Sequence, residues 1–158
     1  MADNKKVRNA KEEIYKGITF KSRLEVSLYK VLEEQGLNPK YEPYKFHIWE
    51  GFHPTVPFYV KEKSRKTKVK EIQLKKSRIL DITYTPDIVF TYGDYTVFLE
   101  VKPDYYNDVF PYKRKLFRKF LEKEDMLKMN PIYAQIGTKK NLLDFINILK
   151  KDYNNTHR

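Results

Sequence analysis

Hydrophobic positions along the chain follow two spacings, and the switches between them outline its elements. Residues 19–35 have the helical spacing: Leu24, Leu28, Val31 and Leu32 form one buried stripe. Thr19 or Ser22 can cap the helix N-terminus, and Gly36 suits the position just past its end. Residues 40–50 alternate as a strand does, with Tyr41, Tyr44, Phe46, Ile48 and Trp49 apolar, and Pro43 implies an edge or an irregularity there. A proline-containing loop at 51–57 leads to a strand expected to begin over Phe58 to Val60. Residues 83–103 read as two strands joined by a tight turn at Tyr92-Gly93-Asp94-Tyr95, rich in the β-branched and aromatic residues that strands favour. The helical spacing returns at 112–129 with Leu116, Phe117, Phe120, Leu121 and Leu127. A short apolar strand at 131–138 follows, and a closing helix at 139–152 buries Leu142, Leu143, Phe145, Ile146 and Leu149. The predicted fold class is α/β: a central mixed sheet flanked by helices. Residues 1–16 are expected to be a mobile basic arm, 17–152 a single domain and 153–158 a tail.

Three ionisable residues interrupt the apolar hairpin. Asp87 lies on its first strand; Glu100 and Lys102 lie on the second, two apart and therefore on one face, with Val101 facing the opposite way into a core. If the strands pair around Gly93-Asp94, Asp87 stands level with Glu100. Two neighbouring carboxylates repel and are costly to bury, and a divalent cation with hard-oxygen preference resolves that conflict. A lysine beside the metal can hold a phosphate's charge or position a water. The plainer alternative is an ordinary Glu-Lys pair on a solvated strand face.

The order of these motifs resembles the PD-(D/E)XK nuclease superfamily. Pro86-Asp87 and Glu100-Val101-Lys102 sit across a hairpin, and Phe20-Lys21-Ser22-Arg23-Leu24-Glu25 is similar to the Phe-x-Ser-x-x-Glu helix start of the phage endonuclease I type, the Holliday-junction-resolving enzymes. A Gly-Leu break, a Tyr-Glu-Pro strand and Tyr-Thr-Pro-Asp follow in order, so the resemblance spans residues 17–138. It implies a restriction-endonuclease-like core and a phage or mobile-element origin. It also implies that Glu25, Asp87 and Glu100 ligate Mg²⁺ (Mn²⁺ substituting), that Lys102 is the catalytic lysine, and that the enzyme works as a homodimer on branched DNA. The gap from Glu25 to Asp87 is longer than in compact relatives, which implies an insertion, about 58–80. Pro103 stands where Gly is common and would end the strand, having no N–H for the ladder.

Charge narrows the partner. The 158 residues carry 32 Lys plus Arg against 21 Asp plus Glu, a net +11, which favours a polyanion. Much of the excess falls in 61–78, where a basic β-hairpin or extended arm is expected with its turn near Ser64-Arg65-Lys66. Lys66, Lys68, Lys70, Lys75 and Lys76 are its candidate DNA contacts, and the alternative is a solvated loop. Ser22 and Arg23, one turn or less from Glu25, are candidate phosphate contacts. So are Lys113, Arg114, Lys115 and Arg118, whose positive charge near a helix N-terminus opposes the dipole unless a partner compensates.

Other chemistries find little support. There is no cysteine, so thiolate metal sites and disulfides are unavailable, and His47, His53 and His157 form no zinc pattern. No apolar run approaches a membrane span, and the charged N-terminus has no signal-like segment, so a cytoplasmic protein is expected, in the host if phage-encoded. No small-molecule cofactor is expected. Two readings without chemistry remain: a DNA-binding or nuclease-fold subunit of a recombination or transposition complex, and an RNA-binding accessory protein. A negative cluster in a basic protein discriminates against both, because it repels phosphate unless a metal is bound.

Overall fold

The computed structural model describes residues 11–63, 68–102 and 110–157, and divides into two compact units, residues 46–84 and the remainder. The chain is a mixed α/β protein with four helices among the described residues.

The larger unit opens with the hairpin β1 (Glu13–Tyr15) and β2 (Ile18–Phe20), antiparallel. The strand β1 falls within the segment expected to be a mobile arm. Tyr15 explains its order: its hydroxyl donates to Glu33 (3.0 Å), and its ring meets Tyr29 edge-on. Helix α1 (Arg23–Glu34) follows, capped by Ser22, whose Oγ accepts from the Glu25 N–H at 3.2 Å. It ends in a Schellman motif: Gly36 takes φ +73°, its N–H bonds Glu33, and the Leu37 N–H bonds Leu32.

Where one strand was expected over 40–50 there are two, β3 (Lys40–Tyr41) and β4 (Phe46–Trp49), in different units. Glu42 turns left-handed at φ +43° and Pro43 follows, so the extended run breaks. The smaller unit continues with β5 (Phe58–Lys63), β6 (Lys70–Lys75) and β7 (Ile82–Tyr84). The strands β5 and β6 pair antiparallel, as do β4 and β7. Asp81 organises this unit's irregular part. Its carboxylate accepts from the Gly51 N–H (3.0 Å) and Arg78 (3.1 Å) and meets His47 Nδ1 at 2.8 Å. The His47 contact, then the Gly51 N–H, holds the Asp81 carboxyl below its usual range. A backbone-tying role therefore accounts for this residue.

Back in the larger unit, β8 (Ile88–Tyr92) and β9 (Tyr95–Val101) form the predicted hairpin. Helix α2 (Phe110–Leu121), the short α3 (Glu124–Leu127), β10 (Pro131–Ile136) and α4 (Lys139–Thr156) complete the chain. The sheet order is β10-β9-β8-β3, with β10 parallel to β9 and the other pairs antiparallel, a mixed sheet. Its two faces are covered differently. Ile88, Phe90, Val97, Leu99 and Val101 pack with Leu28 and Leu32 of α1 and Leu142, Ile146 and Leu149 of α4. On the opposite face Phe98 meets Phe117 of α2.

The helix expected over 112–129 starts two residues earlier and splits into α2 and α3. Its buried positions explain the split: Phe117 and Leu121 lie four apart, but Met126 comes five after Leu121 and falls off the stripe. Helix α4 also outruns its predicted end at 152. Tyr153 packs edge-on against Tyr92 (5.4 Å) and Tyr95 (5.6 Å) and stacks with His157 (4.1 Å), which holds the last turn against the β8–β9 loop.

Gly93, at the first loop position with φ +58°, fits beneath this cluster; a Cβ there would run into the Tyr153 ring. Around Gly36, by contrast, a Cβ would meet nothing within 4 Å. Both Ala substitutions carry the left-handed penalty of about 1–2 kcal/mol, and only Gly93→Ala also displaces Tyr153. Thermal melts should show the larger loss for Gly93→Ala, and equal losses would mean that Tyr153 does not pack there in solution.

Candidate active site

Four of the sequence-predicted residues converge at the ends of β8 and β9. The hairpin register pairs Ile88 with Leu99, and one more step places Asp87 opposite Glu100. Asp87 Oδ2 accepts the Val101 N–H at 2.7 Å, which turns the carboxylate towards β9. Its carbonyl accepts the Glu42 N–H at 2.9 Å, anchoring the Pro-Asp turn to the chain after β3. Glu100 is buried at 5 % exposure, and Lys102 Nζ lies 3.2 Å from its Oε1. The Lys102 N–H donates to the Ile136 carbonyl (3.0 Å), so the parallel partner β10 fixes the lysine's backbone. Val101 belongs to the core, as the alternation predicts.

Glu25 reaches the same region from the first turn of α1, buried at 8 % exposure. Its position three after Ser22 suggests a reciprocal cap, yet Oε2 instead accepts from the Lys21 N–H (3.0 Å) and the Tyr41 hydroxyl (2.7 Å). Burial, reinforced by the Glu25 carboxylate, pushes the Tyr41 hydroxyl well above its usual range, so Tyr41 stays a donor. Lys21 adds an ion pair to Glu42 and a positive charge felt at both Asp87 and Glu25.

Asp87 carries the electrostatic strain of this arrangement. Burial is the first cause raising its carboxyl well above the usual range, and the Glu100 carboxylate is the second. Glu25 raises it further, while the Val101 N–H and the Lys102 ammonium pull the other way. Attraction within the site therefore falls short of the cost of holding these carboxylates together.

Among the described residues no group of three or more His, Asp or Glu side chains has the spacing of a ready-made metal cage. The donor chemistry nonetheless suits Mg²⁺, which is commonly held by one or two carboxylates with water and substrate phosphate. Asp87 and Glu100, opposite each other in the hairpin register, supply two such oxygens, and the burial and carboxylate repulsion that raise the Asp87 carboxyl are costs a divalent cation relieves.

Comparison with protein-family models, with curated proteins and with solved structures finds no match to this chain. Its chemistry therefore has to be read from its own residues.

The cationic rim is partly built by α2. Phe110 is buried, and its ring lies 4.5 Å from Lys102 Nζ and 5.9 Å from the Arg114 guanidinium. Arg114 donates to Gln135 Oε1 at 2.9 Å, and Gln135 is the β10 residue paired with Glu100. Arg114 is thus oriented towards the strand that carries Glu100 and Lys102. Lys113 is half-buried, whereas Lys115 and Arg118 are exposed along α2. Ser22 is occupied as the cap of α1, and the exposed Arg23 lies 3.9 Å from Glu13.

The remaining predicted contacts lie in the smaller unit: Lys68, Lys70 and Lys76 are exposed, while Lys75 pairs with Glu62. Lys66 and the turn near Ser64-Arg65-Lys66 fall outside the described residues. Sequence reasoning overlooked Lys21, Tyr41 and Phe110. Tyr41 had one trace, the Tyr-Glu-Pro strand; the other two had none, because only the fold brings them to the site.

Proposed function

We propose that the chain is a metal-dependent DNA endonuclease of the PD-(D/E)XK type, with a restriction-endonuclease-like core and branched DNA as its preferred substrate. The observation that carries this reading is the Asp87–Glu100–Lys102 arrangement: two opposed carboxylates on one hairpin, one of them raised by burial and then by the other, with an ammonium 3.2 Å from the second. Asp87 and Glu100 would hold Mg²⁺, with Glu25, oriented by Tyr41 and the Lys21 N–H, as the third carboxylate. The ion would polarise the scissile phosphate and favour ionisation of a bound water. Lys102, steadied against Phe110, orients the attacking water and neutralises charge growing on the phosphate. Arg114 holds a non-bridging phosphate oxygen from the Gln135 side. Water oxygen bonds to phosphorus, a P–O ester bond breaks, and the leaving oxygen takes up a proton, giving a phosphate end and a hydroxyl end.

Two features support nucleic acid as the substrate: the net charge of +11, and the cations of α2 beside the carboxylates. No helix among the described residues is long and apolar enough to cross a membrane. The test is cleavage of a labelled four-way junction beside linear duplex, single-stranded and splayed-arm controls, in Mg²⁺, Mn²⁺ or EDTA, by the wild type and Lys102→Ala. The expected result is metal-dependent nicking of the junction, slowed about 10²- to 10⁴-fold in the variant while binding persists. Cutting confined to duplex or splayed arms would keep the chemistry and remove the junction preference. Tight binding with no cutting of any substrate would leave a non-catalytic DNA-binding subunit.

A further inference from the structure

The β5–β6 ribbon has two chemically distinct sides. Its register pairs Tyr59 with Leu74, Lys61 with Ile72 and Lys63 with Lys70, and alternation puts all six side chains on one face. The other face carries Phe58, Val60 and Glu62 opposite Lys75, Gln73 and Glu71. Both of the ribbon's carboxylates are therefore on that second face, where Glu62 pairs with Lys75. The first face has three lysines and no acid.

Exposure follows the same division. All six residues of the first face are exposed, including Ile72 at 66 % and Tyr59 at 62 %. On the second face Val60, Glu62, Gln73 and Lys75 are partly covered, and only Phe58 and Glu71, towards opposite ends of the ribbon, are exposed. An exposed strip that combines apolar side chains with like charges has poor complementarity to a second copy of itself, since its lysines would face lysines. It complements a polyanion that also offers apolar surface, and duplex DNA does so through phosphates and the groove edges of its bases.

We infer that the Lys61, Lys63 and Lys70 face of the ribbon is a duplex-DNA-binding surface, with the lysines on phosphates and Ile72 and Tyr59 against a groove. This rests on the nucleic-acid reading above but not on the nuclease chemistry. It moves the ribbon's DNA contact away from Lys75, which faces the acidic side, and assigns it to Lys61 and Lys63.

The test is binding of a linear duplex in EDTA, by fluorescence anisotropy across a salt series, with Lys102→Ala protein throughout so that cutting plays no part. Replacing Lys61, Lys63 and Lys70 with Ser should weaken binding about 10- to 100-fold at low salt and lower the salt slope by about 0.9 for each phosphate no longer neutralised. The charge-neutral swap Lys70→Glu with Glu71→Lys separates face from net charge: weaker binding is expected, and unchanged binding would overturn the proposal. Ile72→Ser should weaken binding with the salt slope intact. Thermal melts of each variant guard against unfolding, to which these exposed sites contribute little. Competition by polyglutamate as effective as that by duplex would overturn the DNA assignment in favour of an acidic protein. A dimer that Ile72→Ser dissociates would overturn it in favour of self-association. Failure of the wild type to cut any DNA in Mg²⁺ or Mn²⁺, with this binding intact, would refute the nuclease and leave the ribbon's role standing.

Discussion

Asp87→Asn is expected to abolish cleavage and, without metal, to raise the melting temperature. The two effects have one origin. Burial and the neighbouring Glu100 and Glu25 carboxylates raise the Asp87 carboxyl, so the fold prefers it protonated. For a group raised on folding, the stabilising contribution is complete below the unfolded value, near 4, and disappears as pH rises through the folded value. Neutral pH is then the unfavourable side, and an amide, which can still accept the Val101 N–H, removes the conflict. The difference in melting temperature between variant and wild type should be near zero at acid pH and grow to a few degrees as pH rises. Asp81 and Glu33, both lowered, contribute the opposite trend, but equally in both proteins. Mg²⁺ at a hundred times its dissociation constant should stabilise the wild type by about 2.7 kcal/mol and the variant far less. Cleavage should fall by at least about 10³-fold. A metal-free variant that melts below the wild type at neutral pH would show that Asp87 is not held against its preference.

Phe117→Ala is expected to bring the largest loss of stability, although it touches no reacting group. The ring is fully buried and meets Phe98 at 5.9 Å and Tyr133 at 5.2 Å, both edge-on. These contacts attach α2 to the sheet face that carries Glu100 and Lys102. Removing a buried phenyl ring costs about 3–5 kcal/mol, or roughly 10 °C for a chain of this size. Activity should fall as well below the new melting temperature, because α2 positions Phe110 and Arg114. Calorimetry and cleavage on one preparation test both halves. A loss under about 1 kcal/mol would mean that α2 does not pack here, and would also undercut the role given to Arg114.

The larger unit was legible because its elements announce themselves locally. The Leu24–Leu28–Val31 stripe, the Gly93-Asp94 turn and the alternation around Val101 are short-range signals: the hairpin formed where it was expected, and the first helix formed on its stripe but begins at Arg23, because β2 and the Ser22 cap take up its expected first turn. The site was legible for the same reason: Asp87, Glu100 and Lys102 lie on one hairpin whose register follows from its loop. What local pattern does not carry is long-range partnership. Nothing near Lys21 or Tyr41 in the chain indicates that both would bond Glu25, and nothing near Phe110 indicates Lys102. Tyr153 looked like tail because its partners, Tyr92 and Tyr95, lie about sixty residues earlier in the numbering. The division of the basic ribbon into a lysine face and an acidic face needed the pairing of β5 with β6, which a shift of one residue would have inverted.

The parallel pairing of β10 with β9 affects how the protein is made. A ribosome delivers β8 and β9 together, and they can close as a local hairpin at once. The far side of β9 must wait for the crossover of α2 and α3 before β10 arrives. During that interval an apolar strand containing Val97, Phe98 and Leu99 presents an unpaired backbone edge, the kind of template on which nascent chains associate. Lys102 also lacks its Ile136 anchor until then. A chain halted before Pro131 would therefore be sticky and have an unfinished site, so the strand that completes the sheet also sets when the site's geometry is complete.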